Sequence, residues 1–431
     1  MPVATDQSSG ASARPIILVV GARDKFTREF CLEWASRDYR IVLVDTEVTW
    51  QHSLIIDHEL ADIRDPIAVR AAGRALAARH RITGVLTWDE YALVPAAALA
   101  ADLCCPGNTV QAMTACRDKA TSRELFLDAG VPSAESVRVT TRETAAVVAA
   151  RIGYPVVLKP SAHGGSIGVI RVDEPAELPA AWVFTAEGAG GQGPEGIGVL
   201  VEEYLDGPEI SVECVTVDGR TTALAVTRKE VGFAPYFEET GHSVTADDPL
   251  LPQVGPIAAA AVRALGVTQG VQHVELRLTV SGPRIIEVNA RIGGDMIGEL
   301  VRLATGLDLV RIAADVARGV RPRLTGSARG CAAIRMIYPS RSGTLAAREF
   351  PVPQSDRPQW LHRVAWQREV GEQVSVPPEG NLYTARIGYV IVTAADPDTA
   401  RERLEESVGR IVLAVDDSVD RRQPELLSHS A

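Results

Sequence analysis

Two short runs near residue 280 constrain this chain more than any other feature. Residues 271–280 (VQHVELRLTV) and 284–291 (RIIEVNAR) are rich in β-branched and aliphatic residues, and Ser281-Gly282-Pro283 separates them. Two such runs around a Gly-Pro turn form a hairpin. Strand side chains alternate between faces. Val274, Leu276 and Leu278, with Ile286, Val288 and Ala290, therefore fall on one apolar face, which belongs against a core. His273, Glu275 and Arg277, with Glu287, Asn289 and Arg291, fall on the other. With residue 281 at the centre of the turn, Glu275 stands opposite Glu287 and His273 opposite Asn289. Carboxylates at a cross-strand separation of ~5 Å repel unless positive charge lies between them. A Mg²⁺ ion would supply it, being a hard cation that takes carboxylate and amide oxygens and completes its octahedron with phosphate and water. Arg277 and Arg291 on a solvated face would supply it equally well. The hairpin alone leaves both readings open.

The length of 431 residues gives room for two or three domains. A net charge of −11 argues against non-specific nucleic-acid binding. It leaves room for a nucleotide, which needs only local positive charge. No apolar run reaches the ~20 residues that span a bilayer. The start, MPVATDQSSGASARP, is polar and has no apolar signal core. The expectation is a cytoplasmic protein with neither membrane nor nucleic-acid partner. The cysteines at 31, 104, 105, 116, 214 and 331 show no metal spacing and no CxxC, and read as reduced, mostly packed thiols.

The pattern along the chain is α/β. Residues 1–14 read as a disordered tail. From Pro15 come a strand (IILVVG), a helix (28–38), a strand ending at Asp45, a helix (66–80), a strand (82–88) and a helix near 91–102. Such alternation implies a parallel sheet with crossover helices. The first turn, beginning Gly21-Ala22, lacks the GxGxxG fingerprint, which disfavours a dinucleotide-dependent oxidoreductase. A helix at 117–129 stops at Gly130-Val131-Pro132, and two strands enclose a glycine-rich turn within 154–172. Residues 187–198 read as a flexible loop, 199–219 as strand, turn and strand, and 253–265 and 297–318 as helices. The end of the chain holds a strand (ARIGYVIVTA) and a helix (PDTARERLEESVGRIV).

Three further motifs carry chemistry. Lys159 ends a strand and precedes Gly164, Gly165, Ser166 and Gly168. A mobile point charge followed by backbone N–H groups without Cβ interference suits a phosphate, although a glycine hairpin tip beside an exposed lysine reads the same way. Lys119, beside Arg117 at the start of a helix, is by itself a surface lysine. In VEEYLDGPE, Glu202 and Glu209 flank a turn at Asp206-Gly207-Pro208. A strand running into such a turn offers backbone groups to an adenine edge and a carboxylate to a ribose, or is an ordinary acidic turn.

In order and spacing, Lys119, Lys159 with the 164–168 loop, Glu202-Glu203-Tyr204-Leu205 with Glu209, and Glu275, Glu287, Asn289 and Arg291 resemble the ATP-grasp superfamily over residues 15–320. That resemblance implies an α/β ATP-grasp fold after the 1–14 tail. Its parts would be an N-terminal parallel-sheet pre-ATP-grasp domain (15–112), a mobile glycine-rich lid subdomain (113–203), an antiparallel-sheet catalytic domain (204–328) and a small α+β C-terminal cap (329–431). It further implies that Lys119 and Lys159 contact ATP phosphates under the Gly164, Gly165, Ser166 and Gly168 loop. Glu202 and the backbone of Leu205 would hold adenine and Glu209 the ribose, with Glu203 and Tyr204 in the same cofactor-binding run. Glu275, Glu287 and Asn289 would bind two Mg²⁺, replaceable by Mn²⁺. Arg291, Lys159 and His273 would be catalytic, although a satisfied structural histidine at 273 reads as well.

Within the superfamily the chain looks most like the bacterial L-amino acid ligases, dipeptide synthases that are often dimers. Glu90 in TWDEYALVPA, Glu239-Thr-Gly-His242, EVNARIGGDMIGELV and the C-terminal AIRMIYP and ARIGYVIV carry that likeness. It implies that Glu90, His242, Arg291, Gly294 and Asp295 meet small-molecule carboxylate and amine substrates. Asp295 departs from the bulky aromatic some dipeptide ligases have there. It either admits a polar or cationic substrate or caps the helix starting near Ile297.

The implied reaction is amide or peptide bond formation through an acyl phosphate with release of ADP and phosphate, typical of natural-product ligases as well as dipeptide synthesis. A ligase using a non-proteinogenic carboxylate or amine, and a biotin-carboxylase-like carboxylase, are the nearest competitors.

Overall fold

The computed structural model describes residues 14–416 apart from 23, 189–197 and 328. Residues 1–13 of the expected tail and most of the expected 187–198 loop lie outside the described residues. The N-terminal sheet is parallel, in the order Asp57–Leu60, Arg40–Asp45, Ile16–Val20, Ile82–Thr87. The aliphatic residues 17–20 and 41–44 of its inner strands are fully buried, as both faces of a parallel sheet must be once helices cover them. Asp24 caps the helix Lys25–Asp38 by accepting from Phe26 N, and Asp65 caps Pro66–Arg79 ahead of a proline at the first turn.

A second, antiparallel sheet runs Ser136–Val139, Val199–Glu203, Val156–Pro160, Ile170–Val172. Strand alternation sends Val156 and Leu158 into a core with Ala145, Val148, Leu178 and Ala181 from the helices Arg142–Ile152 and Leu178–Gly188. Val157 and Lys159, of opposite parity, look out of that core towards the cleft.

The largest sheet has eight strands, in the order Gly282–Asn289, Gly270–Thr279, Glu209–Val217, Arg220–Gly232, Glu238–Thr245, Cys331–Ile337, Gly388–Ala394, Leu361–Trp366. Strands on either side of residue 328 are thus hydrogen-bonded into one sheet, so C-terminal side chains stand beside those of the hairpin domain. The hairpin register agrees with the sequence reading, with His273 opposite Asn289 and Glu275 opposite Glu287. Beyond Glu275 it shifts at a bulge that sets Leu276 opposite Ile285. The expected placement of Ile286 on the core face is corrected by that shift. Ile285 is buried with Val274, Leu276 and Val288, while Ile286 lines the cleft. Each such buried aliphatic contributes roughly 1.5–3 kcal/mol.

The helices Leu251–Ala264, Ile297–Thr305 and Leu309–Ala317 pack on the sheet, where the sequence places them. All six cysteines are free, and four of them are buried. Among the described residues no helix is long and apolar enough to cross a membrane.

Candidate active site

The ends of the parallel sheet, the four-stranded antiparallel sheet, the eight-stranded sheet and the segment around Leu382–Arg386 meet at one cleft of about 290 Å³. Of the residues singled out from sequence, all but Gly168 and His242 line it. Gly168 (φ +71°) sits behind the glycine loop, where an added Cβ would meet Pro160 at 3.0 Å. His242 is 1% exposed and supports the wall from behind.

On the side of the four-stranded antiparallel sheet, Lys159 Nζ lies 2.5 Å from Glu202 Oε2, and Arg123 Nε lies 2.9 Å from Glu202 Oε1. All three side chains are buried. Burial raises the Glu202 carboxyl, but Arg123 and Lys159 outweigh it and hold the group down at about 2. Burial dominates at Lys159 and lowers its ammonium to about 8 despite Glu202. Glu202, expected at the adenine, is therefore engaged with Lys159. The adjacent Tyr204 and Leu205 and the Tyr204–Phe237 ring pair, centroids 6.4 Å apart, supply an apolar rim beside it.

Lys119 begins the helix Lys119–Asp128 and is 6% exposed, so it is no surface lysine. Its Nζ donates to the His163 carbonyl at 2.5 Å and lies 2.9 Å from Glu287 Oε1. The loop therefore hangs from a residue that also reaches the hairpin. Tyr91 Oη and His163 Nδ1, 2.9 Å apart, tie the loop to the N-terminal domain. Gly165 (φ +69°) comes so close to Leu382 that an added Cβ would meet Leu382 Cδ2 at 2.5 Å. Only glycine tolerates both that backbone conformation and that approach.

On the hairpin, opposed Glu275 and Glu287 are each met by separate cations. Lys229 Nζ lies 2.9 Å from Glu275 Oε1, 2.5 Å from Glu239 Oε1 and 3.4 Å from Glu209 Oε1. Arg277 pairs with Glu209 at 2.8 Å, not with the opposed glutamates. Burial lowers the Lys229 ammonium, but the three carboxylates hold it well above its ordinary value. His273 Nδ1 stands 2.9 Å from Glu213 Oε1 and Nε2 3.0 Å from Glu275 Oε1. Burial pulls that imidazole down, and Glu213 outweighs burial to push it up to about 9. Both ring nitrogens are taken by carboxylates, the arrangement of a satisfied histidine.

Glu90 lies between Arg291 Nε at 2.8 Å and Arg117 Nη1 at 3.3 Å. The Asn289 amide, oriented so that its nitrogen donates, is 2.9 Å from Glu90 Oε2 and 3.3 Å from Glu287 Oε1. Glu275 and Glu287 offer carboxylate oxygens that already draw positive charge from two sides, and a turn of the Asn289 amide would add its oxygen to them. They fit a hard divalent cation.

At the far end, Arg386 donates to Asp295 Oδ1 at 2.5 Å and Oδ2 at 2.8 Å, to the Glu239 carbonyl at 3.1 Å and to Tyr338 Oη at 2.8 Å. His242 Nε2 lies 3.3 Å from Asp295 Oδ2. Of the two readings of Asp295, the helix cap is corrected here. Left-handed Met296 occupies the cap position with no side-chain hydrogen bond, and the Asp295 carboxylate turns to Arg386. Asp295 (φ +49°) and Met296 (φ +62°) are consecutive left-handed residues, a strain that costs about 1–3 kcal/mol each and is held by the Arg386 clamp.

Lys229, Glu213, Arg123, Glu238 and Arg386 escaped the sequence reading. Lys229 and Glu213 stand in strands of mixed polarity, and the only signal was their parity with Glu209 and Glu275. Arg386 gave none.

The fold is the ATP-grasp fold, and residues 152–299 match the family model described as the ATP-grasp domain. The chain therefore contains an ATP-grasp domain. It is 29% identical over 325 residues to an uncharacterized protein of Sinorhizobium fredii, covering 74% of this chain and 66% of that one. Human carnosine synthase 1 is 29% identical over 339 residues, covering 72% of this chain and 40% of that one. Alanine–anticapsin ligase of Bacillus subtilis is 30% identical over 256 residues, covering 54% and 53%. The chain thus spans two thirds or less of these relatives' lengths. The structure of an L-amino acid ligase from Bacillus licheniformis shares the fold with TM-score 0.79 and 21% identity, covering 94% of this chain and 99% of that one. The biotin carboxylase domain of 2-oxoglutarate carboxylase from Hydrogenobacter thermophilus, solved with MgADP and bicarbonate, shares it with TM-score 0.70 and 20% identity, covering 92% and 90%.

Proposed function

We propose that this chain is an ATP-dependent ligase that joins a carboxylate to an amine, both small molecules and at least one an amino acid, with release of ADP and phosphate. The observation that carries this reading is the meeting of Lys119, Lys159 and the glycine loop with Glu275, Glu287 and Asn289 in one cleft. Lysines and backbone N–H groups on one wall, facing carboxylates on the other, suit a polyphosphate bridged by metal. The likeness to alanine–anticapsin ligase and carnosine synthase supports amide formation as the outcome.

In this reading Lys159 and Lys119 hold the phosphates, and Glu202 with Arg123 positions Lys159. The Tyr204–Leu205 backbone and Phe237 hold adenine, with Glu209 at the ribose. Glu275, Glu287 and Asn289 would hold Mg²⁺, which supplies charge neutralisation to the phosphates when bound. His273 orients Glu275 from Glu213. A carboxylate cannot lose oxide to an amine at neutral pH, so it is first phosphorylated and then expels phosphate. Arg291, braced by Glu90, faces the reacting carboxyl and the oxyanion that follows. The glycine loop, docked on Leu382, excludes water from the acyl phosphate.

Amine-dependent ADP release from paired amino acids, with mass detection of the product, tests the proposal. Lys159→Ala and Glu287→Ala are expected to lose at least about a hundredfold in turnover while keeping the native circular dichroism. Release of AMP and pyrophosphate would sink the acyl-phosphate route. ADP formation that requires bicarbonate and biotin instead of an amine would favour the carboxylase reading.

A further inference from the structure

The eight-stranded sheet presents Glu209, Glu238, Glu239, Glu275 and Glu287 to the cleft. Four of them are matched by cations: Glu209 by Lys229 and Arg277, Glu239 and Glu275 by Lys229, and Glu287 by Lys119. Glu238 is not. It is 3% exposed, and among the described residues its hydrogen bond is a long one of 3.4 Å donated by the Tyr338 hydroxyl. Arg386, whose charge acts on it, has its guanidinium taken up by both Asp295 oxygens, the Glu239 carbonyl and Tyr338 Oη.

A buried carboxylate without a partner is costly, and an apolar ligand beside it leaves the cost in place. A ligand ammonium or guanidinium removes it. Asp295, which the sequence offers for this task, is already neutralised by Arg386 and His242. Resting on the ligase reading above, we infer that one of the two joined substrates is an amino acid with a cationic side chain, and that Glu238 is the carboxylate that receives that side chain.

The electrostatics around Glu238 agree. The charged and titratable groups facing it are Arg386, Tyr338, Glu239 and Asp295, and burial pushes its carboxyl up to about 7 against the pull of Arg386. The pocket retains a proton where a cation would otherwise sit.

The test uses the full chain with arginine, lysine and ornithine against citrulline, norleucine and norvaline, measuring binding by calorimetry and ADP release in parallel. At pH 8, at least one cationic member is expected to bind about ten- to a hundredfold more tightly than its neutral counterpart. The preference shrinks below pH 7. Glu238→Gln is expected to erase it, and Glu238→Asp, which keeps the charge, to retain part of it. No preference in the wild type for any cationic member overturns the inference. So does a preference that survives in Glu238→Gln. Cation-selective binding without amine-dependent ADP release would refute the ligase reading and leave the role of Glu238 standing.

Discussion

Arg386 grips both carboxylate oxygens of Asp295 from 91 residues further along the chain. The guanidinium is 3% exposed and arrives on the short C-terminal segment whose Leu382 also touches the glycine loop. One segment therefore joins the wall proposed to meet substrate to the loop proposed to cover the phosphates.

Arg386→Ala leaves the Asp295 charge buried with only His242 beside it. Breaking one partner of a buried pair costs about 3–5 kcal/mol, and urea unfolding should register that loss. Asp295→Asn in the same chain is expected to recover part of it. A single variant within about 1 kcal/mol of wild type would show that the clamp contributes little.

Lys229 holds three carboxylates from a side chain that is 1% exposed. Lys229→Met is expected to lose at least about a hundredfold in ADP release and about 3–5 kcal/mol of stability, because Glu209, Glu239 and Glu275 then lose the cation they share and keep only Arg277, His242 and His273 at their edges. Lys229→Arg should retain more of both. Kinetics and thermal unfolding of the two variants check this, and a fully active Lys229→Met would contradict it.

The Glu238 carboxyl stands at about 7, above its ordinary value of 4.5. Between those values the folded chain keeps a proton that the unfolded chain has lost, so this group makes stability fall as pH rises through 4.5 to 7. Glu238→Gln cannot ionise. It should match wild type near pH 4.5 and exceed it at pH 8 by up to about 3 kcal/mol. Denaturant titrations at the two pH values decide the matter, and an unchanged difference between them would count against the raised carboxyl.

Gly165→Ala places a methyl group 2.5 Å from Leu382 Cδ2 at a φ of +69°. The loop should dock less closely, with turnover about tenfold lower and the KM for ATP raised. Adding Leu382→Ala relieves the collision but not the backbone strain, so recovery should be partial. Steady-state kinetics on the single and double variants measure both components.

Much of the scaffold is legible in the amino-acid sequence. The parallel N-terminal sheet follows from strands alternating with helices, and the 275–287 register from the parity of two strands about one turn. The bulge after Glu275 is not legible, because an inserted residue leaves the apolar count of Arg284-Ile285-Ile286-Glu287 unchanged. Lys119 reads as a surface lysine because a helix start looks exposed until the hairpin and the glycine loop fold against it.

By itself, the sequence determined which side chains share a strand face and that Glu275 opposes Glu287, because a strand's period of two is a local property of the backbone. Only the tertiary structure decided which cation answers each carboxylate. Lys229, Arg386 and Lys119 come from segments far apart in the chain, and charge pairing depends on distance through space. That is why Asp295 proved to be neutralised and, among the described residues, Glu238 was left without a paired cation.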